Sequence, residues 1–144
     1  MRALARELGG WCDWCIVYIA EAHATDEWPI SSARYNGARG AVCLAQTHTT
    51  RARADAARAF ARDFGLGSTA DARGAHVTLV LDEPEAGEPF SAAYAPWPTR
   101  YYVLQRNETG EAGMRFISEP RDSGFIDLAP FRSALLHAAA TEIV

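Results

Sequence analysis

The residues best suited to chemistry follow the first apolar run of the chain. Residues 15–20 read Cys-Ile-Val-Tyr-Ile-Ala, which is typical of a strand covered on both faces. Glu21 and His23 follow it, at the end where open α/β sheets build their sites. If the extended geometry continues, these two side chains share a face and can hydrogen-bond, which favours a protonated imidazole for proton donation or anion binding. An exposed carboxylate and a solvated histidine are the alternative interpretation.

A pair of thiols is a second candidate for chemistry. Residues 11–15 read Trp-Cys-Asp-Trp-Cys, which resembles the Trp-Cys-x-x-Cys motif of thioredoxins. In that motif a helix N-terminus stabilises the first thiolate, whereas here a strand follows directly. We therefore expect Cys12 and Cys15 to lie in a loop that enters the strand, with Cys15 turned into the core. A redox role and ordinary packing both stay open for the pair.

Composition argues against several other classes of protein. The 144 residues carry 14 arginines, no lysine and 18 acidic residues, for a net charge of −4. The arginines are spread along the chain and form no basic stripe, so we expect no nucleic-acid partner. No apolar run reaches the roughly 18 residues of a membrane span, so we expect a cytoplasmic protein without a membrane segment. Three cysteines and four scattered histidines lack metal-ligand spacing, so we expect no metal and no bound cofactor.

The elements that must position the candidate residues are alternating helices and strands. A helical segment over residues 2–8 stops at a pair of glycines. A second helix begins at Thr49 or Thr50 and runs to about Phe64, with Gly65 as its stop. Its solvated stripe is Arg51, Asp55, Arg58 and Arg62, and its apolar stripe is Ala56, Ala57, Phe60 and Phe64. A second buried strand covers residues 76–82 and ends in an acidic loop.

The last third of the chain predicts a hairpin and a closing helix. Residues 100–105 and 114–117 read as strands on either side of a turn-rich segment. Asp127 is placed to cap a final helix that carries Phe131, Leu135 and Leu136 toward a core. This order of elements predicts one domain over residues 1–144, with a mixed α/β sheet in three layers, as in the thioredoxin-like fold.

Four segments resemble the iodothyronine deiodinase family, in that family's order. Residues 18–28 read Tyr-Ile-Ala-Glu-Ala-His-Ala-Thr-Asp-Glu-Trp, where the family signature is roughly Tyr-Ile-Glu-Glu-Ala-His-x-Ser-Asp-Gly-Trp. Residues 46–60 are similar to its Gln-His-Arg-Thr helix entry, and residues 77–82 to its Val-Val-Val-Asp strand. Residues 98–105 are similar to its Pro-Glu-Arg-Leu-Tyr-Val-Ile-Gln strand. The resemblance covers nearly the whole chain and is most specific in the first segment.

The resemblance implies a thioredoxin-like α/β/α enzyme of a selenoprotein family. Such an enzyme removes iodine reductively from an aromatic ring, using a selenocysteine or cysteine and an external thiol. Glu21 and His23 would be catalytic, and Tyr18 and Arg100 would bind the substrate, Arg100 through the paired hydrogen bonds of a guanidinium to a carboxylate. A solvated strand-edge arginine is the alternative for Arg100. Pro98 matches the proline held cis next to the redox centre of such folds. The implied partners are an iodinated aromatic substrate and a second copy of the chain, because family members are often homodimers.

The chain departs from the family pattern at three points. The family's nucleophile lies on a first strand upstream of the helix that begins here at Met1, and no cysteine of this chain aligns with it. We therefore expect the domain to lack that strand and nucleophile, with a selenocysteine codon read as a stop and the frame restarted at Met1. The family's second histidine falls on Thr47, which leaves His48 as a weaker candidate, and Ala20 stands where the family has a second glutamate.

Three functions remain open from the sequence. The first is a deiodinase-like reductive dehalogenase whose nucleophile is absent from this chain. The second is a thioredoxin-like thiol oxidoreductase that uses Cys12 and Cys15. The third is a non-catalytic thioredoxin-fold module that binds a small aromatic acid through Glu21, His23 and Arg100.

Overall fold

A computed structural model describes residues 4, 7–8, 12–29, 44–66, 77–96, 99–118 and 127–141. The chain divides into two compact units. The first, called here the hairpin unit, comprises Met1–Trp14, Ala70–His76 and Pro96–Val144. The second, called here the β1–β2 unit, comprises Cys15–Thr69 and Val77–Ala95.

Two strands and a capped helix form the frame of the β1–β2 unit. Strand β1 spans Trp14–Tyr18, with all but Trp14 in this unit, and pairs with strand β2, Val77–Leu81. Helix α1, Thr50–Phe64, packs against β2. The Thr49 side chain accepts a hydrogen bond from the Ala52 N–H at 3.2 Å, and Gly65 ends the helix in the left-handed conformation, with φ 60°. The predicted bounds of this helix are confirmed.

Beyond β2 the chain forms two short helices that the sequence did not predict. A 3-10 helix spans Pro84–Ala86, and helix α2 spans Pro89–Tyr94. Both begin with a proline, whose missing N–H costs nothing in a first helical turn.

The outward position of Cys15 corrects an expectation. Cys15 is exposed, whereas the side chain before it, Trp14, is 8% exposed and belongs to a core. Successive residues of a strand point to opposite faces, so an inward Trp14 turns Cys15 outward. The strand also ends at Tyr18, two residues earlier than predicted, so Glu21 and His23 lie in the turn beyond it.

An antiparallel hairpin covered by a helix forms the hairpin unit. Strands β3, Tyr102–Arg106, and β4, Ala112–Ile117, pair as predicted, with an irregularity between Val103 and Leu104. Helix α3, Leu128–Thr141, packs against both strands. Asp127 Oδ1 accepts a hydrogen bond from the Ala129 N–H at 3.0 Å, which confirms the predicted cap.

The core of the hairpin unit is built around one phenylalanine. Phe131 is 4% exposed, and its ring contacts the rings of Trp14, Tyr101 and Phe116. Leu136 is 40% exposed, so its predicted core position is wrong, and Phe64, on the apolar stripe of α1, is 53% exposed. Both lie at the edge of an apolar stripe, where helix geometry alone does not decide burial.

The overall class is mixed α/β. Within the described parts of the chain, the strands form two sheets of two strands each. The mixed α/β class is thus confirmed, and the three-layer thioredoxin-like arrangement stays a prediction. No helix in the described segments is long and apolar enough to cross a membrane.

Candidate functional site

A tyrosine and a carboxylate meet at the end of β1. The phenol of Tyr18 donates a hydrogen bond to the carboxylate of Glu21, and both side chains are half-buried. The Tyr18 ring packs edge-on against Phe60 of α1, with ring centroids 5.6 Å apart. Burial, and then the adjacent carboxylate, raise the pKa of Tyr18, so the phenol keeps its proton well into the alkaline range.

The side chain of Gln46 fixes the backbone of Glu21. Its Oε1 accepts hydrogen bonds from the N–H groups of Glu21 at 3.0 Å and Thr47 at 3.1 Å. Its Nε2 donates to the Glu21 carbonyl at 3.2 Å and to Glu27 Oε2 at 3.0 Å. These four contacts use the full hydrogen-bonding capacity of a primary amide. The backbone N–H of Gln46 also donates to Asp26 Oδ1 at 2.8 Å, so the turn after β1 is fixed to the segment before α1.

A buried arginine anchors the same segment from α1. Arg53 is 1% exposed. Its Nε donates to Thr47 Oγ1 at 3.0 Å, and its Nη2 donates to the Thr47 carbonyl at 3.0 Å. Its Nη1 donates to the Asp82 carbonyl at 2.6 Å, and Nη2 forms an ion pair of 2.7 Å with Glu88. The buried charge is therefore compensated, and it partly opposes the rise in the pKa of Tyr18.

Asp82 has a structural role next to this anchor. Its carboxylate, also 1% exposed, accepts hydrogen bonds from the N–H groups of Phe90 at 2.8 Å and Ser91 at 2.9 Å, in the first turn of α2. Its own N–H donates to the Tyr18 carbonyl at 2.9 Å. Asp82 thus connects the end of β1 to α2, and both its carboxylate oxygens are used in doing so.

His23 faces Trp28 and not Glu21, which corrects the expected hydrogen bond between Glu21 and His23. His23 has a left-handed backbone, with φ 67°. Its Nδ1 lies 3.2 Å from the Trp28 carbonyl, and the two rings are 4.9 Å apart at 51°. The expected alternation fails because β1 ends at Tyr18, so that residues 21–23 follow turn geometry. Within the described segments Glu21 pairs with Tyr18, and His23 with Trp28.

The other predicted residues are His48, Arg100 and Pro98. His48 is exposed, while Thr47 next to it is buried against Arg53. Arg100 belongs to the hairpin unit, two residues before β3, and its Nε is buried with no hydrogen-bond partner in the described segments. Pro98 lies outside the described residues.

The two thiols do not have the electrostatics of a redox pair. Burial, and then the charge of Asp13, raise the pKa of the Cys12 thiol, whose Sγ lies 3.6 Å from the Leu8 carbonyl. The surrounding protein partly desolvates the Cys15 thiol in β1 and raises its pKa as well, although the residue as a whole is exposed. Reactive cysteines have a lowered pKa, usually from a helix N-terminus or a nearby cation. The raised pKa of both thiols argues against the thiol oxidoreductase interpretation.

Three residues of this network were missed as site residues by the sequence analysis. From the sequence, Gln46 and Asp82 stand out only within segments that resemble the deiodinase family, and Arg53 does not stand out as a site residue. One signal for Arg53 was available, because it lies four residues before Ala57 and seven before Phe60, on the apolar stripe of α1. A charged residue on an apolar stripe requires a buried partner.

Comparisons with known proteins give no assignment for this chain. No protein-family model, no curated protein and no solved structure matches it. Over the described residues, no three His, Cys, Asp or Glu side chains are grouped as metal ligands would be.

Proposed function

We propose that this chain supplies the substrate-binding and proton-handling residues of a deiodinase-like oxidoreductase acting on iodothyronines or related iodinated phenols. The hydrogen bond from Tyr18 to Glu21 is the observation that supports this most directly. It joins two residues that match the family's strand tyrosine and acidic position. A carboxylate held by a phenol on one side and by Gln46 through its backbone is a fixed group that can take up or return a proton.

The proposed reaction replaces iodine on a ring carbon with hydrogen. A thiolate or selenolate takes the iodine, and the ring carbon takes a proton. A second thiol then displaces iodide and forms a disulfide or a selenenyl sulfide. The aryl iodide gains two electrons, which the attacking group and the second thiol lose together, and further external thiol then reduces the bond formed between them. Glu21 supplies the proton, and Tyr18 orients Glu21.

The attacking group is not assigned to Cys12 or Cys15. Both thiols have a raised pKa, which lowers the thiolate fraction that could attack iodine near neutral pH. The proposal includes a thioredoxin-like arrangement of the whole domain, a cytoplasmic location and a homodimer, as in the family. The mixed α/β class supports the thioredoxin-like arrangement.

Calorimetric titration with an iodothyronine and with iodine-free thyronine tests the proposal. We expect the iodinated ligand to bind about tenfold more tightly, and Glu21→Gln to weaken its binding about tenfold. Glu83→Gln, which changes an exposed glutamate of the same unit, is the matched control and should bind as the wild type does. Equal affinity for the two ligands, or an unchanged affinity in Glu21→Gln, would contradict the proposal.

A non-catalytic binding module is the second candidate. It is favoured by the raised pKa of both described thiols, which leaves this group of residues without an activated nucleophile. Incubation of the iodothyronine with protein and a dithiol separates the two functions. Release of iodide with the ring-protonated product favours the oxidoreductase, and recovery of the intact ligand favours the module.

A further inference from the structure

An exposed tryptophan follows the Tyr18 and Glu21 pair in the turn after β1. Trp28 is 63% exposed, the highest value among the large hydrophobic residues of the described segments. Its indole lies against the imidazole of His23, with ring centroids 4.9 Å apart. Most of the indole surface is therefore open to solvent beside one oriented polar ring. Burying such a surface against another aromatic ring is favourable, since tryptophan has the largest aromatic face available in proteins.

The His23 ring is oriented by its backbone and by Trp28. A φ of 67° costs a histidine about 1 kcal/mol, and such strain persists only where the surroundings hold it. The Trp28 carbonyl can only accept, so His23 Nδ1 donates the hydrogen bond between them at 3.2 Å. In the neutral ring, Nε2 is then left as an acceptor. Within the described residues nothing hydrogen-bonds to Nε2.

We infer that Trp28 and His23 form a ring-binding subsite for phenols, in which the ring stacks on the indole and the hydroxyl donates to His23 Nε2. The two contacts suit one ligand, because a phenol combines an aromatic face with a hydroxyl donor in the plane of the ring. The inference rests on the proposed function, since it identifies which residues hold the phenol ring of the substrate. It assigns Trp28 a role that Tyr18 and Glu21 do not supply.

Titration with phenol, anisole and ortho-iodophenol tests the subsite. Phenol should bind about fivefold to tenfold more weakly to Trp28→Ala than to the wild type. Tyr94→Ala removes another exposed aromatic side chain of the β1–β2 unit and should leave phenol binding unchanged. Anisole lacks the hydroxyl donor and should bind more weakly than phenol to the wild type. This preference should disappear in His23→Asn, which tolerates the left-handed backbone and has no Nε2.

Fluorescence gives an independent measurement. Iodine quenches tryptophan emission at short range, so ortho-iodophenol should quench the part of the emission that Trp28→Phe lacks. The phenylalanine variant keeps an aromatic ring at this position, which makes a loss of folding a poor explanation for its altered quenching.

The outcomes separate this subsite from the proposed function. Unchanged phenol affinity in Trp28→Ala, or equal quenching in wild type and Trp28→Phe, would overturn the subsite. Iodothyronine binding that depends on Glu21 but not on Trp28 would also overturn it, while leaving the proposed function intact. Binding of phenol and ortho-iodophenol with equal affinity, lost in Trp28→Ala, would support the subsite and argue against a deiodinase-like function.

Discussion

Tyr18 donates the hydrogen of its phenol to the carboxylate of Glu21, three residues further along the chain. This contact spans the point where β1 ends and the turn begins, so it orients a carboxylate that the strand itself no longer positions. Gln46 fixes the backbone of the same glutamate through its N–H and its carbonyl. Glu21 is therefore held at its side chain and at its backbone by different elements of the unit.

The raised pKa of Tyr18 predicts a loss of stability in alkali. The unfolded chain ionises this phenol near its usual value of 10, whereas the folded protein does so only at higher pH. The contribution of the protonated Tyr18 phenol to the free energy of unfolding is therefore complete below pH 10. It is lost as the pH rises from 10 toward the raised pKa of the folded protein. Urea unfolding at several pH values measures the effect. Tyr18→Phe should flatten the decline, and Tyr94→Phe should not; equal declines in both variants would contradict the assignment.

Gln46→Glu should destabilise the turn after β1. The substitution keeps an acceptor for the Glu21 N–H but places a carboxylate oxygen against the Glu21 carbonyl and Glu27 Oε2. We expect a loss of about 1–3 kcal/mol in the free energy of unfolding at neutral pH, measured by urea denaturation. Adding Glu27→Gln restores an amide opposite the new carboxylate and should recover part of the loss. A double variant no more stable than Gln46→Glu alone would show that the two side chains are not coupled.

Arg53 should contribute far more to stability than the other arginines of α1. Arg53→Ala leaves the Thr47 and Asp82 carbonyls and the Glu88 carboxylate without this partner. Because Glu88 is 36% exposed and can be hydrated, we expect a loss of about 3 kcal/mol, below the upper range for broken buried ion pairs. Arg51→Ala, an exposed arginine two residues earlier, should change the free energy of unfolding by less than about 0.5 kcal/mol. Similar losses in both variants would contradict the anchoring role.

The raised pKa of both described thiols predicts slow, ordinary alkylation. Cys12 and Cys15 should react slowly with iodoacetamide near neutral pH, and faster as the pH rises to 9 and above. The reason is that the thiolate is the reactive form. Cys15 should react faster, since it is exposed and Cys12 is half-buried. Mass spectrometry of the Cys12→Ser and Cys15→Ser variants measures each rate. A thiol that reacts fully below pH 7 would restore the redox interpretation.

Local sequence signals predict the bounds of the helices, whereas contacts between residues distant in sequence determine the arrangement of the site. The Thr49 and Gly65 caps fix the bounds of α1 within its own sequence, and the Asp127 cap does the same for α3. The pairing of His23 with Trp28 depends on where β1 ends, which a run of apolar residues does not mark sharply. Gln46 and Arg53 acquire their roles from partners distant in sequence, which no local pattern specifies.

Tyr18 and Glu21 are proposed to act as one unit in recognising an iodinated phenol. Iodothyronine affinity, measured by calorimetry for Tyr18→Phe, Glu21→Gln and the double variant, tests it most directly. If the hydrogen bond between them carries the effect, each single variant weakens binding about tenfold and the double variant is little weaker than either. Losses that simply add, or single variants that bind as the wild type does, would contradict the claim.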